Sequence, residues 1–223
     1  MHTSSLLRME WFVNKYLSNE KNPQKRAVLD VGSYDVNGSY KHLFSEDKFD
    51  YTGLDMVEGP NVDIVPAHPY DWKNIESGSY DVVISGQAFE HIEFFWVTFA
   101  EMVRVLKNGG IMCLTAPRLH PLHRYPVDCY RFDTDGMLAL AKYGSLIPLH
   151  ASVNSAPPGA DPQWYGQEGD ALLVAAKPDT WSGMLDIANY TFSENDIETL
   201  NGGFLPQPET LPGLLHRIKM LFA

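Results

Sequence analysis

The chain has 223 residues, 44% of them hydrophobic, which suffices for one globular domain with a sizeable core. Seventeen lysine and arginine residues against 28 aspartate and glutamate residues give a formal net charge of −11, which argues against a nucleic-acid partner because phosphate backbones are bound mainly by basic side chains. The two cysteines form no paired motif, no run of roughly 18 apolar residues occurs, and residues 1–16 lack the apolar core of a signal peptide, which favours a cytoplasmic protein without membrane contact.

The first predicted element is an amphipathic helix over residues 4–18, with Leu7, Trp11 and residues 13–16 on its apolar side. A buried strand follows, because the apolar run Ala27–Val31 contains one acidic residue, Asp30, and stops at Gly32. Asn37 and Gly38 then open a segment that could begin a helix. Strand, glycine turn and helix in this order place backbone N–H groups against a nucleotide-like ligand.

The second predicted strand, Phe49–Asp55, ends on an acidic residue. A carboxylate at this position, one strand after the glycine turn, is in the expected place to accept hydrogen bonds from both ribose hydroxyls of a nucleotide. A short third strand is predicted at Asn61–Val65, followed by Pro66, Ala67 and His68.

The stretch Ser79–Ile92 reads as a strand followed by a polar loop. Ser85–Gln87 leave the carboxyl end of the buried strand Val82–Ile84, where ligands of α/β sheets bind, and Glu90 and His91 follow on a helical turn. The remaining predicted elements are a helix at Phe94–Leu106 with a glycine turn as its C-cap at Lys107–Gly110, a strand at Ile111–Thr115, a helix at Thr134–Tyr143, and a terminal strand pair at Leu146–Val153 and Ala171–Ala176.

Residues 27–177 resemble the class I S-adenosylmethionine-dependent methyltransferases, in particular the "type 11"-like group that acts on small molecules. The resemblance lies in Leu29-Asp-Val-Gly32, in Tyr80-Asp-Val-Val with the later Glu90-His91, and in Arg104-Val-Leu-Lys-Asn-Gly-Gly110. It implies an α/β, Rossmann-like, seven-stranded and mostly parallel sheet with helices on both faces and the last strand antiparallel. Residues 1–178 would form this domain, and residues 179–223 a C-terminal helical extension.

The resemblance implies S-adenosyl-L-methionine as the cofactor and a small-molecule acceptor. The residues expected to bind the cofactor are Asp30, Gly32, Asn37, Asp55, Met56, Ala67, His68, Ser85 and Gln87. Family members commonly have an aspartate where this chain has Pro66. Either the adenine is therefore left with the Ala67 backbone alone, or His68 or Asp71 binds its amino group, and the sequence does not choose between these.

The polar and aromatic stretch Arg118–Phe132 follows the carboxyl end of a strand, and loops of this length are often functional. Its Tyr125, Asp128, Tyr130 and Arg131 predict a wall for a polar acceptor, sugar-like or carrier-linked, that is methylated on oxygen. Aromatic faces would stack on such a ring, and the charged groups would take its hydroxyls.

A hydroxyl acceptor needs a base, and histidine suits this role because its unperturbed pKa is about 6.5. His123, Asp128 and His91 are the predicted catalytic residues, and the sequence leaves open which of the two histidines is the base, or whether neither is. Gln87, Glu90 and His91 could instead hold a hard cation, but glutamine weakens such a site, and no metal is predicted.

Two other functions are compatible with the sequence. A degenerate methyltransferase fold, kept as a cofactor-binding or partner subunit without catalysis, would explain Tyr34 and Pro66, which stand where the family has glycine and aspartate. A nicotinamide-dependent oxidoreductase is disfavoured because the first motif lacks the Gly-x-Gly-x-x-Gly spacing. Two weak helices, Ser193–Leu200 and Pro212–Phe222, are expected to pack on the domain or on a second copy of the chain in a homodimer.

Overall fold

The structure is a computed structural model that describes residues 3–18, 24–153 and 169–191. Helical and extended segments alternate along the chain. The helices are α1 (Thr3–Phe12), α2 (Phe95–Val105) and α3 (Thr134–Tyr143). The strands are β1 (Arg26–Val31), β2 (Phe49–Leu54), β3 (Tyr80–Gly86), β4 (Leu106–Leu119), β5 (Ile147–Val153) and β6 (Gly169–Ala176). Single helical turns occur at Val13–Leu17, Lys41–Leu43, Phe89–His91 and Ile187–Asn189.

The strands form one mixed sheet in the order β2-β1-β3-β4-β6-β5. Strands β1 to β4 pair in parallel, whereas β6 lies antiparallel between β4 and β5. The predicted α/β architecture with an antiparallel last strand is therefore confirmed. The predicted number of seven strands is wrong, because the sheet contains six strands in the described part of the chain.

The missing strand is the one predicted at Asn61–Val65, which makes a single bridge between Leu54 and Ile64. Asn61 has a left-handed backbone with φ of 65°. The backbone N–H groups of Asp63 and Ile64 both donate to the carbonyl of Gly53, and the Asp63 carboxylate accepts from the Gly53 N–H. This side-chain bond replaces a regular ladder, which apolar patterning does not reveal.

Alternate residues of the central strands face two separate cores. Leu29 and Val31 pack with α2 and α3, while Val28, between them, packs with α1 on the other face of the sheet. Because successive strand residues point to opposite faces, a run that is apolar throughout needs cover on both sides. The predicted helices on both faces are confirmed.

The N-terminal helical segment covers its face with the predicted Trp11, Val13 and Tyr16, but the first part of α1 differs from the prediction. Leu7 is 45% exposed, whereas Ser4 and Ser5 are buried. Ser4 Oγ donates a hydrogen bond of 2.6 Å to Asp170 Oδ2, and Ser5 Oγ lies 2.5 Å from the Tyr40 hydroxyl. The two hydroxyls can be buried because each forms a hydrogen bond with a residue far along the chain. The buried side of the helix therefore consists of Ser4, Ser5, Met9 and Phe12.

The glycine pair at 109–110 lies within β4, which begins at Leu106, and is not the helix C-cap that was predicted. Helix α2 already ends at Val105. The Gly109 N–H donates to the Lys177 carbonyl, and the Lys177 N–H donates to the Gly110 carbonyl, so the pair continues the ladder beyond β6. Gly109 has a φ of 80°, a conformation that glycine adopts at little cost.

Beyond β6, Trp181 packs on the domain, and its indole N–H donates to the Gly144 carbonyl at 2.9 Å. The predicted helices at 193–200 and 212–222 lie outside the described residues. In the described ranges, none of the helices combines the length and apolar character needed to traverse a bilayer.

Candidate active site

A cleft of about 970 Å³ opens where β1, β2 and β3 end. Residues that follow β1 and β2 contribute the strand-end group, which consists of Gly32, Asn37, Asp55 and Met56. The segments after β3 and β4 contribute the loop group, which consists of Gln87, Glu90, His91, His123, Arg124 and Tyr125. The volume is at the upper end of the range for small-molecule sites, roughly 300–1,000 Å³, so the cleft has room for more than one small ligand.

Gly32 makes the turn that leads from β1 into the cleft. Its φ is +82°, and a Cβ at this position would lie 2.4 Å from the Ala88 Cβ. Residue 32 must therefore be glycine for the backbone of the β1 turn to lie against the loop after β3. The turn keeps the backbone accessible to a ligand.

Asp30 precedes this turn and is only 2% exposed. Its Oδ2 accepts a short hydrogen bond from the Tyr51 hydroxyl, and no described residue donates to Oδ1. Burial raises the pKa of Asp30 to about 7, against the lowering effect of the Tyr51 bond. A cation placed in the cleft would favour the ionised form of this carboxyl.

Asp55 follows β2 with its carboxylate already oriented by backbone donors. Oδ2 accepts from the Tyr34 N–H at 3.1 Å, and Oδ1 accepts from the Met56 N–H at 2.7 Å. Each carboxylate oxygen can accept a further hydrogen bond, so Asp55 can still receive two hydroxyl donors. Asn37 and Met56 contribute to the same part of the cleft lining.

Three of the predicted cofactor residues lie outside the cleft lining, which includes neither Ala67, His68 nor Ser85. The Ser85 hydroxyl is buried and donates to the Val31 carbonyl at 2.7 Å, so it joins β3 to β1. His68 Nδ1 accepts from the Tyr70 N–H at 3.2 Å.

In the segment after the bridge, Pro66, Pro69 and Tyr70 line the cleft instead. A contact of Ala67 or His68 with a cofactor therefore stays a prediction, as does one of Ser85.

Gln87 leaves β3 with a left-handed backbone, φ 57°, an uncommon conformation for a residue with a side chain. Its Nε2 donates to Asp170 Oδ1 at 3.0 Å, while its Oε1 is buried and meets no donor from the described residues. No sequence pattern indicated Asp170, which lies in β6 and meets the Gln87 amide only through the fold of the sheet.

Glu90 and His91 lie on the helical turn after β3. Glu90 is fully buried, and no hydrogen bond from another described residue reaches either of its carboxylate oxygens. Burial raises the pKa of Glu90 to about 8. His91 Nδ1 lies 2.6 Å from the Val127 carbonyl, and Nε2 lies 3.6 Å from Glu90 Oε1. Desolvation by burial lowers the pKa of His91, so its ring is neutral at neutral pH.

His123 comes from the 118–132 loop, and its ring centroid lies 4.9 Å from that of His91. The His123 N–H donates to Asp128 Oδ2 at 2.8 Å, and the Nδ1 to Oδ2 distance is 3.6 Å. Asp128 itself does not line the cleft. Its two oxygens form a bidentate ion pair with Arg131. These hydrogen bonds, led by that of Arg131, hold the pKa of Asp128 well below its ordinary range.

The four predicted acceptor-wall residues separate into two kinds. Tyr125 is 67% exposed and lines the cleft beside Arg124. Tyr130, by contrast, donates from its hydroxyl to the Glu93 carbonyl and packs its ring on Phe95. With Asp128 and Arg131 paired to each other, three of the four residues hold the loop in place.

The fold is an α/β, Rossmann-like methyltransferase fold, with a cleft at the carboxyl ends of parallel strands and an acidic residue after the second strand. Residues 29–114 match the family model of a methyltransferase domain. This part of the chain, less than half of its 223 residues, is therefore a methyltransferase domain, and such a domain implies use of S-adenosylmethionine.

Solved structures share the fold at low sequence identity. The 1,6-didemethyltoxoflavin-N1-methyltransferase of Burkholderia thailandensis superposes with a TM-score of 0.58 at 15% identity, over 79% of each chain. The 4+2 cyclase SpnF gives a TM-score of 0.58 at 15% identity, over 78% of this chain and 81% of SpnF. The YcgJ protein of Bacillus subtilis gives 0.55 at 14% identity, over 79% of this chain and 99% of YcgJ.

At these identities the similarity shows the fold alone. A comparison with curated protein sequences gives no significant match.

Proposed function

We propose that the chain transfers a methyl group from S-adenosylmethionine to an oxygen atom of a small, polar, sugar-like or carrier-linked acceptor. The observation that carries this proposal is the joint lining of one cleft by the Gly32 turn, by Asp55 and by the histidines of the loop group. The Gly32 turn and Asp55 can bind a nucleoside, and the histidines can accept the proton that an acceptor hydroxyl must lose.

The polar groups of the cleft fit the cofactor. Asp55 has acceptor capacity for two ribose hydroxyls. The buried Oδ1 of Asp30 and Oε1 of Gln87 receive no hydrogen bond from the described residues, so a ligand could donate to them. A positively charged ligand would also stabilise the ionised form of Asp30. When bound, S-adenosylmethionine supplies an electrophilic methyl group on a sulfonium centre. Asn37 and Met56 would complete the contacts of the strand-end group.

The loop group supports transfer to oxygen. The new bond uses a lone pair of the acceptor oxygen, the pair of the broken carbon–sulfur bond stays on sulfur, and the hydroxyl proton must leave. His91 and His123 offer imidazole rings in the cleft for this proton, and either could act as base. Tyr125 offers an aromatic face to a polar ring. Holding the two reactants aligned can contribute roughly 7–11 kcal/mol to the rate enhancement.

Calorimetric titration with S-adenosylmethionine and S-adenosylhomocysteine tests the cofactor assignment. We expect both to bind the wild-type chain and Asp55→Ala to weaken binding by roughly 10- to 100-fold, since about 1.4 kcal/mol corresponds to a factor of ten. Asp50→Ala is the matched control, because Asp50 is exposed in β2, the strand that Asp55 follows, and it pairs with the exposed Lys25 at 3.4 Å. Absence of binding at millimolar ligand, or equal affinity of the Asp55→Ala and wild-type proteins, would exclude this cofactor site.

A second candidate is a methyltransferase fold without methyl transfer, acting as a cofactor-binding or partner subunit. Tyr34 supports this alternative, since it replaces a usual glycine and its ring fills the space over Gly59. The similarity to SpnF, a 4+2 cyclase, is consistent with a methyltransferase fold serving another reaction. Tight S-adenosylhomocysteine binding together with no methylated product from any hydroxylated acceptor, and stable co-purification with a second protein, would favour it.

A further inference from the structure

We propose that Glu90, His91 and His123 bind one divalent transition-metal ion. Each side chain offers one ligand atom, and these three atoms lie within 4.8 Å of one another. All three residues line the cleft. Two imidazoles and one carboxylate from separate segments thus converge on a single point at the acceptor part of the cleft.

Glu90 is the strongest single indication of a bound cation. Its side chain has no solvent exposure, and neither of its oxygens receives a hydrogen bond from another described residue. Burying a carboxylate without a partner costs several kcal/mol, which is why buried charges in proteins are paired or coordinate metals. His91 Nε2 faces this carboxyl at 3.6 Å from Oε1.

His91 cannot satisfy Glu90 by donating a proton from Nε2 in its neutral form. A carbonyl oxygen only accepts hydrogen bonds, so the 2.6 Å contact with the Val127 carbonyl assigns the proton to Nδ1. The lone pair of Nε2 then faces a Glu90 oxygen, and a metal ion between the two atoms would displace the carboxyl proton and be bound by both. Histidines that bind metals usually donate their other N–H to a carbonyl or a carboxylate in this way.

His123 is presented by an anchored loop. Its backbone N–H is bound by Asp128, which Arg131 holds through both oxygens, and its Nδ1 lies 3.1 Å from the Pro121 carbonyl. The ring stands at 88° to that of His91. The position of His123 is therefore fixed before any ligand binds. Gln87, the partner considered from sequence, is instead bound to Asp170 through Nε2.

The ligand set favours zinc, iron, cobalt or nickel over magnesium or calcium, because imidazole suits the former and hard cations prefer oxygen ligands. Three protein ligands leave at least one coordination position open, as in catalytic zinc sites. A hydroxyl group bound at that position would lose its proton to solvent near neutral pH, as metal-bound water does with a pKa of about 7. This role rests on the proposed methyl transfer to oxygen, whereas the binding of the ion does not.

The test is calorimetric titration of the chelator-treated, full-length protein with zinc, cobalt(II) and magnesium chlorides, in the absence of S-adenosylmethionine. We expect one zinc or cobalt ion per chain and weaker binding of magnesium. Glu90→Gln and His123→Ala should each weaken zinc binding by at least roughly 100-fold. Glu93→Gln is the matched control, because it makes the same change at an exposed glutamate three residues further on and should leave zinc affinity unchanged.

Two measurements on the wild-type protein keep the test independent of how the variants fold. The visible spectrum of bound cobalt(II) should show nitrogen and oxygen ligation without a thiolate charge-transfer band, and zinc should shift the imidazole NMR signals of His91 and His123. Absence of stoichiometric zinc binding, or unchanged affinity in Glu90→Gln, overturns the proposal. A thiolate band would place the ion at Cys129, which is exposed, and also overturns it. Zinc binding without S-adenosylmethionine binding would reject the proposed function alone.

Discussion

Gln87 and Asp170 are joined by a hydrogen bond of 3.0 Å from Nε2 to Oδ1, although 83 positions separate them in the chain. Asp170 uses its other oxygen, Oδ2, to accept from the Ser4 hydroxyl at 2.6 Å. A single buried carboxylate thus connects the loop after β3, the start of β6 and helix α1. The cleft and the N-terminal helix are consequently coupled through one side chain.

Replacing Asp170 by alanine should lower the free energy of unfolding by roughly 2–4 kcal/mol, because it leaves the Ser4 hydroxyl and the Gln87 amide buried without a partner. Denaturant titration measures this change, and hydrogen exchange should show faster opening of residues 3–12. Asp50→Ala, at an exposed ion pair, should change the stability by less than about 0.5 kcal/mol. Equal effects of the two substitutions would contradict the structural role of Asp170.

Gly32→Ala should destabilise the protein by roughly 2–4 kcal/mol, since the new Cβ meets the Ala88 Cβ at 2.4 Å and φ is +82°. Gly136→Ala provides a control of opposite sign, because no atom lies within 4 Å of the added Cβ and the residue is in α3. Alanine there should stabilise by up to about 1 kcal/mol. The midpoints of guanidinium denaturation compare the two variants, and a stable Gly32→Ala protein would refute the tight turn.

The buried carboxyl of Asp30 predicts a pH dependence of stability. Burial raises its pKa from the ordinary 3.8 to about 7, so the folded chain keeps a proton that the unfolded chain releases between these pH values. The free energy of unfolding should therefore fall as the pH rises through this window. Above about pH 7 the ionised carboxyl costs the folded state up to roughly 4 kcal/mol.

Asp30→Asn, which cannot ionise, should be more stable than the wild type at about pH 8 and nearly equal at about pH 4. Urea titrations of both proteins across this range measure the difference, and Asp50→Asn should show no such trend. A stability difference that does not vary with pH would mean that Asp30 is ionised throughout.

Asp128→Asn should loosen the 118–132 loop, because the carboxylate accepts from both Arg131 Nη atoms and from the His123 N–H. We expect a loss of about 2–3 kcal/mol in unfolding free energy, as for other hydrogen bonds to charged groups. S-adenosylhomocysteine affinity should change little. Asp71→Asn, at an exposed pair with Lys73, is the control, and a comparable loss there would argue against a special role of Asp128.

The sequence predicted most strands correctly because their apolar runs reflect burial on both faces of a parallel sheet, as in β1 and β3. It failed where polar side chains decide the local structure. Asp63 bonds the Gly53 backbone and prevents a regular strand, and Ser4 and Ser5 are buried by partners that lie far along the chain. The spacing of apolar residues along the sequence cannot reveal a serine that is buried because its hydroxyl is hydrogen-bonded to a distant residue.

The sequence could predict those residues of the site that directly follow a predicted strand. Gly32 and Asp55 are of this kind, and both line the cleft. The approach of His123 to Glu90 was not predictable, because it depends on the path of the 118–132 loop and on the Asp128–Arg131 pair that fixes it. Sequence showed a loop rich in histidine and aspartate, but not which of its side chains face inward.

Strand β6 also governs the order in which the chain can fold. It is inserted between β4 and β5, and β5 has no other neighbour in the sheet. A nascent chain that ends before residue 169 has no partner for β5 and no Asp170 for Ser4 of helix α1. Helix α1 can thus form its Ser4–Asp170 hydrogen bond only after residue 170 has been synthesised, and such contacts between distant parts of a chain slow folding.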